Sequence, residues 1–157
     1  EYTNSQGQVM EQYFESIRYG LQKLSLPEDC RVLCEPGRAL CVDAESLITQ
    51  VHLRKNDAVY LNDGMYGSFI EEKYKLHLPV RMVATRRFSG QQKEFTIYGP
   101  TCDSLDIFPR TISLPEDIRE GDWIEFDRIG AYGAACRTHF NGFFADTFVT
   151  VENNFDD

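Results

Sequence analysis

The sequence predicts a mainly β protein with a small α/β unit in front. Three observations carry this. Val9, Tyr13, Phe14, Ile17, Leu21 and Leu24 recur at helical spacing. After Asp43 the chain becomes a series of short apolar runs rich in β-branched and aromatic residues, separated by turn residues. Between these regions a single apolar run, Val32-Leu33-Cys34, leads into Glu35-Pro36-Gly37-Arg38.

Taken in order, Gly7 to Leu24 reads as an amphipathic helix ended by Pro27. Arg31 to Cys34 reads as a short buried strand. The turn after it has two readings. As plain structure, Pro36 presets the first corner and Gly37 permits a positive φ at the second. As a site, it is a ligand cradle at the C-terminal end of a strand, the usual place in α/β units. Beyond Asp43, strands are expected at Leu47 to Leu53, Ala58 to Leu61, Val80 to Ala84, Glu94 to Tyr98 and Asp122 to Phe126. Asn62-Asp63-Gly64, Ser89-Gly90 and Arg119-Glu120-Gly121 supply turns. A short helix is expected from Ala131 to Phe140 and a last strand from Phe143 to Val151. The expected division is 1–42 and 43–157. One helix and one strand cannot close a parallel sheet or cover both its faces, so the first segment reads as the last unit of something larger.

Composition narrows the function. The 157 residues are 42% apolar, enough for a sizeable core. The formal net charge is −9 and no basic stripe carries interleaved aromatics, so nucleic acid is not an expected partner. No apolar run approaches the roughly 20 residues of a membrane helix, so no membrane partner is expected either. Cys30, Cys34, Cys41, Cys102 and Cys136 are odd in number and irregular in spacing. A disulfide framework is not expected, which fits a reducing cytoplasm. His52, His77 and His139 are scattered and suggest no metal site.

Three further stretches stand out: Tyr98 to Asp106 (YGPTCDSLD), Leu61 to Phe69 (LNDGMYGSF) and Gly130 to Phe143 (GAYGAACRTHFNGF). Each has a plain structural account. Asp63-Gly64 is an ordinary turn, Cys102 a small hydrophobe, Asp103 and Asp106 caps for local N–H groups, and Gly-Ala-Tyr-Gly close packing around one aromatic.

Together, Glu35-Pro36-Gly37-Arg38, Asn62-Asp63-Gly64 with Tyr66-Gly67-Ser68-Phe69, Gly99-Pro100-Thr101-Cys102-Asp103 and Gly130-Ala131-Tyr132-Gly133 stand in the order and spacing of one family. They resemble the pyridoxal-phosphate-dependent basic amino acid decarboxylases, the ornithine decarboxylase-like enzymes with an alanine racemase-like barrel. The likeness is greatest to ornithine or lysine/ornithine decarboxylases and covers the C-terminal two-fifths or so of a member. It implies the last helix–strand unit of a (β/α)8 barrel followed by a C-terminal β-domain of Greek-key barrel or sandwich type.

The resemblance also implies roles. Glu35 would keep the cofactor's ring nitrogen protonated. Arg38 would bind the cofactor phosphate through a charged planar fork, Gly37 through close backbone approach, and Tyr132 through its hydroxyl. Cys102 would return a proton to the α-carbon after CO₂ leaves. Asp103 would pair with the distal ammonium of a diamino acid substrate. Relatives acting on diaminopimelate or arginine resemble Cys-Glu at this point, so Cys-Asp favours ornithine or lysine. Cys102 and Asp103 would complete the site of a partner subunit, which implies a homodimer with shared active sites. Tyr66 would lie near that interface.

Two departures accompany the likeness. The family's second acidic substrate contact has no clear counterpart in Ile70 to Val80; Glu71 and Glu72 are the candidates there, and they read first as solvated charges. The Schiff-base lysine is not matched by Lys23, Lys55, Lys73, Lys75 or Lys93, and no Gly-Gly pair supplies a phosphate loop. Pyridoxal 5′-phosphate chemistry would therefore need the N-terminal barrel portion. Two other readings are a non-catalytic regulatory homologue and a different pyridoxal enzyme such as a racemase, which would not need the Cys-Asp pair.

Overall fold

The computed structural model describes residues 9–152. The chain divides into two compact units, Glu1–Cys41 and Val42–Asp157.

In the first unit, helix α1 (Met10–Lys23) follows the predicted apolar periodicity. Gly7 and Gln8, where the expected helix began, lie outside the described residues. The Leu24 N–H closes the helix onto the carbonyls of Gly20 and Leu21, both at 3.2 Å. No residue of α1 is buried; Phe14 and Ile17 remain 46% and 54% exposed. The strand expected at Arg31 to Cys34 does not form. Leu33 is 77% exposed, and the unit's described residues offer no second strand for a ladder. Gly37, which permits a left-handed corner, is not among the glycines with positive φ. Gly37 instead leads into a single helical turn, α2 (Arg38–Cys41), its carbonyl accepting the Leu40 N–H at 3.0 Å.

The second unit is a six-stranded mixed sheet: β1 (Leu47–Lys55), β2 (Ala58–Leu61), β3 (Val80–Met82), β4 (Gln92–Tyr98), β5 (Ile107–Pro115) and β6 (Trp123–Phe126). The spatial order is β3-β6-β1-β2-β4-β5. All neighbours are antiparallel except β2 and β4, which run parallel. Strand β1 serves two ladders. Leu47 to Gln50 pair with β6, and Val51 to Lys55 pair with β2. A register irregularity between Val51 and Leu53 marks the change. A bulged strand that switches partners turns a corner, and the sheet curls into a half-barrel.

Five of these strands lie where the apolar runs place them. β5 was not expected, because Pro109 and Pro115 punctuate its sequence. It forms at the sheet edge, where a missing N–H can face away from the ladder. Two other expectations fail. Phe143 to Val151 is not a strand, and the helix at Ala131 to Phe140 shrinks to α3 (Gly133–Cys136), followed by a 3-10 turn at Phe140–Gly142.

The core lies inside this curl. Val59 and Leu61 of β2, Phe95 and Ile97 of β4, and Ile124 and Phe126 of β6 alternate inward at period two and are fully buried. Phe69 packs against Phe126 at 4.6 Å and Phe108 at 4.8 Å between ring centroids. Phe69 also ends the loop that carries Tyr66, so the core fixes that loop from below.

Candidate active site

Two loops at the end of the sheet bring the chemistry together. The first, Asn62 to Phe69, follows β2. Asp63 folds it by accepting the N–H of Gly64 at 2.7 Å and of Ser68 at 3.0 Å, and the Ser68 hydroxyl at 2.7 Å. A Cβ on Gly67 would overlap the Asp63 carboxylate, so this turn requires glycine. Burial pushes the Asp63 carboxyl above its ordinary value, against the opposing pull of its donors.

The second loop, Gly99 to Asp106, joins β4 to β5. The Gly99 N–H donates to the Asp106 carbonyl at 2.9 Å, and the Asp106 N–H to the Asp103 carbonyl at 3.0 Å. The Asp106 side chain is buried.

Asp103 meets Tyr66 across the two loops. The Tyr66 hydroxyl donates to Asp103 Oδ2 at 2.6 Å, and the Leu105 N–H donates to Oδ1 at 2.9 Å. The Tyr66 hydrogen bond, then the Leu105 N–H, hold the Asp103 carboxyl below its usual range. The same bond raises the Tyr66 phenol above its ordinary value. Asp103 is half-buried, and the Cys102 thiol beside it is exposed. A stable carboxylate can pair with a cation, while an accessible thiol beside it can deliver a proton to the same bound molecule.

A third segment closes over Tyr66. Thr138 gives both its N–H (3.0 Å) and its hydroxyl (2.6 Å) to the Tyr66 carbonyl, and Phe140 packs against the Tyr66 ring in a tilted arrangement, with the ring centroids 4.5 Å apart. Tyr66, Ile70, Lys73, Leu105, Cys136 and Thr138 line a mostly apolar cavity of about 390 Å³. Gly133 is buried against Ile129, which a Cβ would strike. Close packing thus accounts for this glycine of the Gly-Ala-Tyr-Gly motif. Tyr132 itself is 45% exposed.

Of the expected site residues, Cys102, Asp103 and Tyr132 belong to the second unit. Glu35, Gly37 and Arg38 belong to the first; Glu35 and Gly37 are exposed and Arg38 is half-buried. By residue type, the guanidinium of Arg38 and the hydroxyl of Tyr132 are groups that bind phosphate, and the carboxylate of Glu35 is one that pairs with a protonated ring nitrogen. Lys93 is held by Asp57 at 2.6 Å.

Glu71 and Glu72 are not solvated charges: both are buried. Glu72 takes a two-pronged contact from Arg110, at 2.9 Å from Nε and 2.8 Å from an NH2 nitrogen, and accepts the Leu78 N–H at 3.1 Å. His77 lies 3.2 Å away. Burial alone would raise the Glu72 carboxyl, but Arg110 and the Leu78 N–H outweigh it, and the net shift is downward. Sequence reasoning missed this pair because Arg110 lies 38 positions away on the unrecognised strand β5. It also left Tyr66 without a bond to Asp103. The only hint was a tyrosine flanked by turn glycines in a loop too polar to bury it.

Residues 12–130 match the family model described as pyridoxal-dependent decarboxylase, C-terminal sheet domain. Ornithine decarboxylase from Schizosaccharomyces pombe is 36% identical over 139 residues, covering 79% of this chain and 32% of the relative. A crystal structure of lysine/ornithine decarboxylase from Vibrio vulnificus, complexed with cadaverine, superposes with a TM-score of 0.72 at 34% identity. It covers 89% of this chain and 39% of that one. An arginine decarboxylase from Paramecium bursaria Chlorella virus gives the same TM-score at 27% identity, covering 83% of this chain and 37% of that one. The chain spans about a third of the length of the curated relatives it matches. A mainly β half-barrel, the ordered motifs on its loops and this match agree: the chain belongs to the pyridoxal-dependent decarboxylases and carries their C-terminal sheet domain.

Proposed function

We propose that this chain is the C-terminal part of a decarboxylase that converts a diamino acid, ornithine first and lysine second, to its diamine, putrescine or cadaverine, and CO₂. The product would serve polyamine biosynthesis. The carrying observation is Asp103, kept in its charged form by Tyr66 and Leu105 beside the exposed Cys102 thiol. Pyridoxal phosphate, when bound, supplies the electron sink for the bond that releases CO₂. Asp103 orients the substrate through its distal ammonium. Cys102 donates the proton that replaces CO₂ at the α-carbon. Glu35, Gly37, Arg38 and Tyr132 hold the cofactor's ring nitrogen and phosphate.

In this reading residues 1–42 are the last unit of the cofactor-binding barrel and 43–157 the β-domain. The complete protein is a cytoplasmic homodimer in which Cys102 and Asp103 of one subunit serve the other's site. The 157-residue chain alone is inactive. Five free thiols are consistent with a reducing compartment.

Steady-state kinetics of the full-length protein on ornithine, lysine, arginine and diaminopimelate test the proposal. Ornithine should lead in kcat/KM, followed by lysine. Asp103→Ala should lower ornithine kcat/KM by about ten- to a hundred-fold, the worth of one charged hydrogen-bonded contact, with cofactor absorbance retained. A lead for arginine or diaminopimelate, or an indifferent Asp103→Ala, would overturn the diamino acid reading.

A further inference from the structure

The bond between Tyr66 and Asp103 joins two loops that are 37 positions apart in sequence. Both carry glycines, at 64, 67 and 99, and neither pairs in a ladder of its own. Something must hold them in register, and the buried side chain between them is Asp106, 1% exposed. Its Oδ1 accepts the Met65 N–H of the first loop at 2.7 Å. Its Oδ2 accepts both the N–H and the hydroxyl of Thr101 in the second, at 3.0 and 2.7 Å. One carboxylate thus bridges the residue before Tyr66 and the residue before Cys102.

The backbone around it is shaped for this purpose. A Cβ on Gly64 would overlap the Asp106 carboxylate and would also come within 2.7 Å of the Gly99 Cα. A Cβ on Gly99 would overlap the carboxylate as well. Two glycines, one per loop, make the room that Asp106 fills. Two of the three partners, the Met65 and Thr101 N–H groups, can only donate, and they fall to different oxygens. An amide that kept its oxygen on Met65 would turn its NH2 toward the Thr101 N–H, which has no lone pair to offer, even if the Thr101 hydroxyl reversed to accept.

We propose that Asp106 is a positioning residue, whose carboxylate sets the Cys102–Asp103 loop against Tyr66. This rests on the roles given to Cys102 and Asp103 above. It concerns how they are placed rather than what they do. A shift of the loop would move the ammonium contact and the proton donor together, so binding and the site of protonation would change as one. A merely structural role would instead lower the folded fraction, and with it the maximal rate, leaving KM and the product ratio per folded subunit unchanged.

The test uses the full-length holoenzyme with Asp106→Asn, and Thr101→Val as a milder variant that loses one bond of the three. For Asp106→Asn, ornithine KM should rise about tenfold, as one charge-assisted bond implies. The share of misprotonated product should rise with it, and Thr101→Val should move both in the same direction by less. Hydrogen exchange in peptides covering residues 63–69 and 99–106 should accelerate in both variants. Unchanged KM and product ratio per folded subunit overturns the proposal, as does unchanged exchange in the two loops. If Asp106→Asn does not fold, the Thr101→Val results decide by the same criteria. Asp103→Ala is the control. Wild-type KM and product in that variant would instead overturn the diamino acid reading, while the exchange data would still decide whether Asp106 joins the loops.

Discussion

Tyr66 and Asp103 titrate against one another, and their opposite shifts give the site a pH signature. The Asp103 carboxyl lies below its ordinary value of 3.8 because the Tyr66 hydroxyl donates to it. A depressed carboxyl contributes above its unfolded value and loses that contribution as pH falls through the folded one. Tyr66→Phe removes the leading cause and leaves the Leu105 N–H. The Asp103 carboxyl should then rise toward 3.8, and the acid limb of kcat/KM against pH should move upward with it. An acid limb that stays in place would show that Asp103 does not govern it.

Among the elements, the 3-10 turn Ile70–Tyr74 is fixed to β5 by the Glu72–Arg110 pair. Lys75 ends that turn in the left-handed region at φ 61. Arg110→Ala should destabilise the sheet domain by about 3 kcal/mol at neutral pH, because a fully buried carboxylate loses its charged partner. The sign of the pH dependence should also reverse. In the wild type Glu72 stabilises above its ordinary value of 4.5 and the effect fades as pH falls through the lowered folded value. Without Arg110, burial dominates and raises the carboxyl, so acidification should relieve part of the loss. Urea titrations at several pH values would show this. A gap between variant and wild type that does not narrow on acidification would contradict it.

The same scale explains which elements were readable. β1, β2, β4 and β6 announce themselves because their inward residues alternate or run together between turn residues, and their partners lie in the same chain. β5 was hidden by two prolines that an edge position tolerates. Arg31 to Cys34 and Phe143 to Val151 have strand composition, yet among the described residues neither acquires a ladder. Composition describes one segment, whereas a strand is a relation between two. Asp103 and Cys102 were readable as a motif. The carboxylate at Asp106 looked like a local cap, and its long-range bond to Met65 had no periodic signal to reveal it.

For the molecule as a whole, the core cluster runs from Val51 to Ile129, and every described member belongs to the second unit. Helix α1 buries none of its side chains. The unit beginning at Val42 should therefore fold without residues 1–41, with a Tm within about 3 °C of the 157-residue chain, the shift expected for well under 1 kcal/mol. The longer chain should self-associate more, since Phe14, Ile17, Val32 and Leu33 are exposed. Calorimetry and sizing by light scattering would check both. Loss of cooperative unfolding on removing residues 1–41 would mean that the sheet depends on them.

The two ladders of β1 also set an order of events for a chain leaving the ribosome. Lys55 and Ala58 are partners across a two-residue connection, so the β1–β2 hairpin can close as soon as it emerges. Thr49 and Ile124 are 75 positions apart, and their pairing waits until β6 has been made. Until then the first half of β1 presents an open edge, and loop-closure entropy makes its pairing the slow step. The nascent protein is thus most prone to aggregate between the appearance of residue 61 and that of residue 126, and a ribosome pausing in this interval would lengthen the exposure.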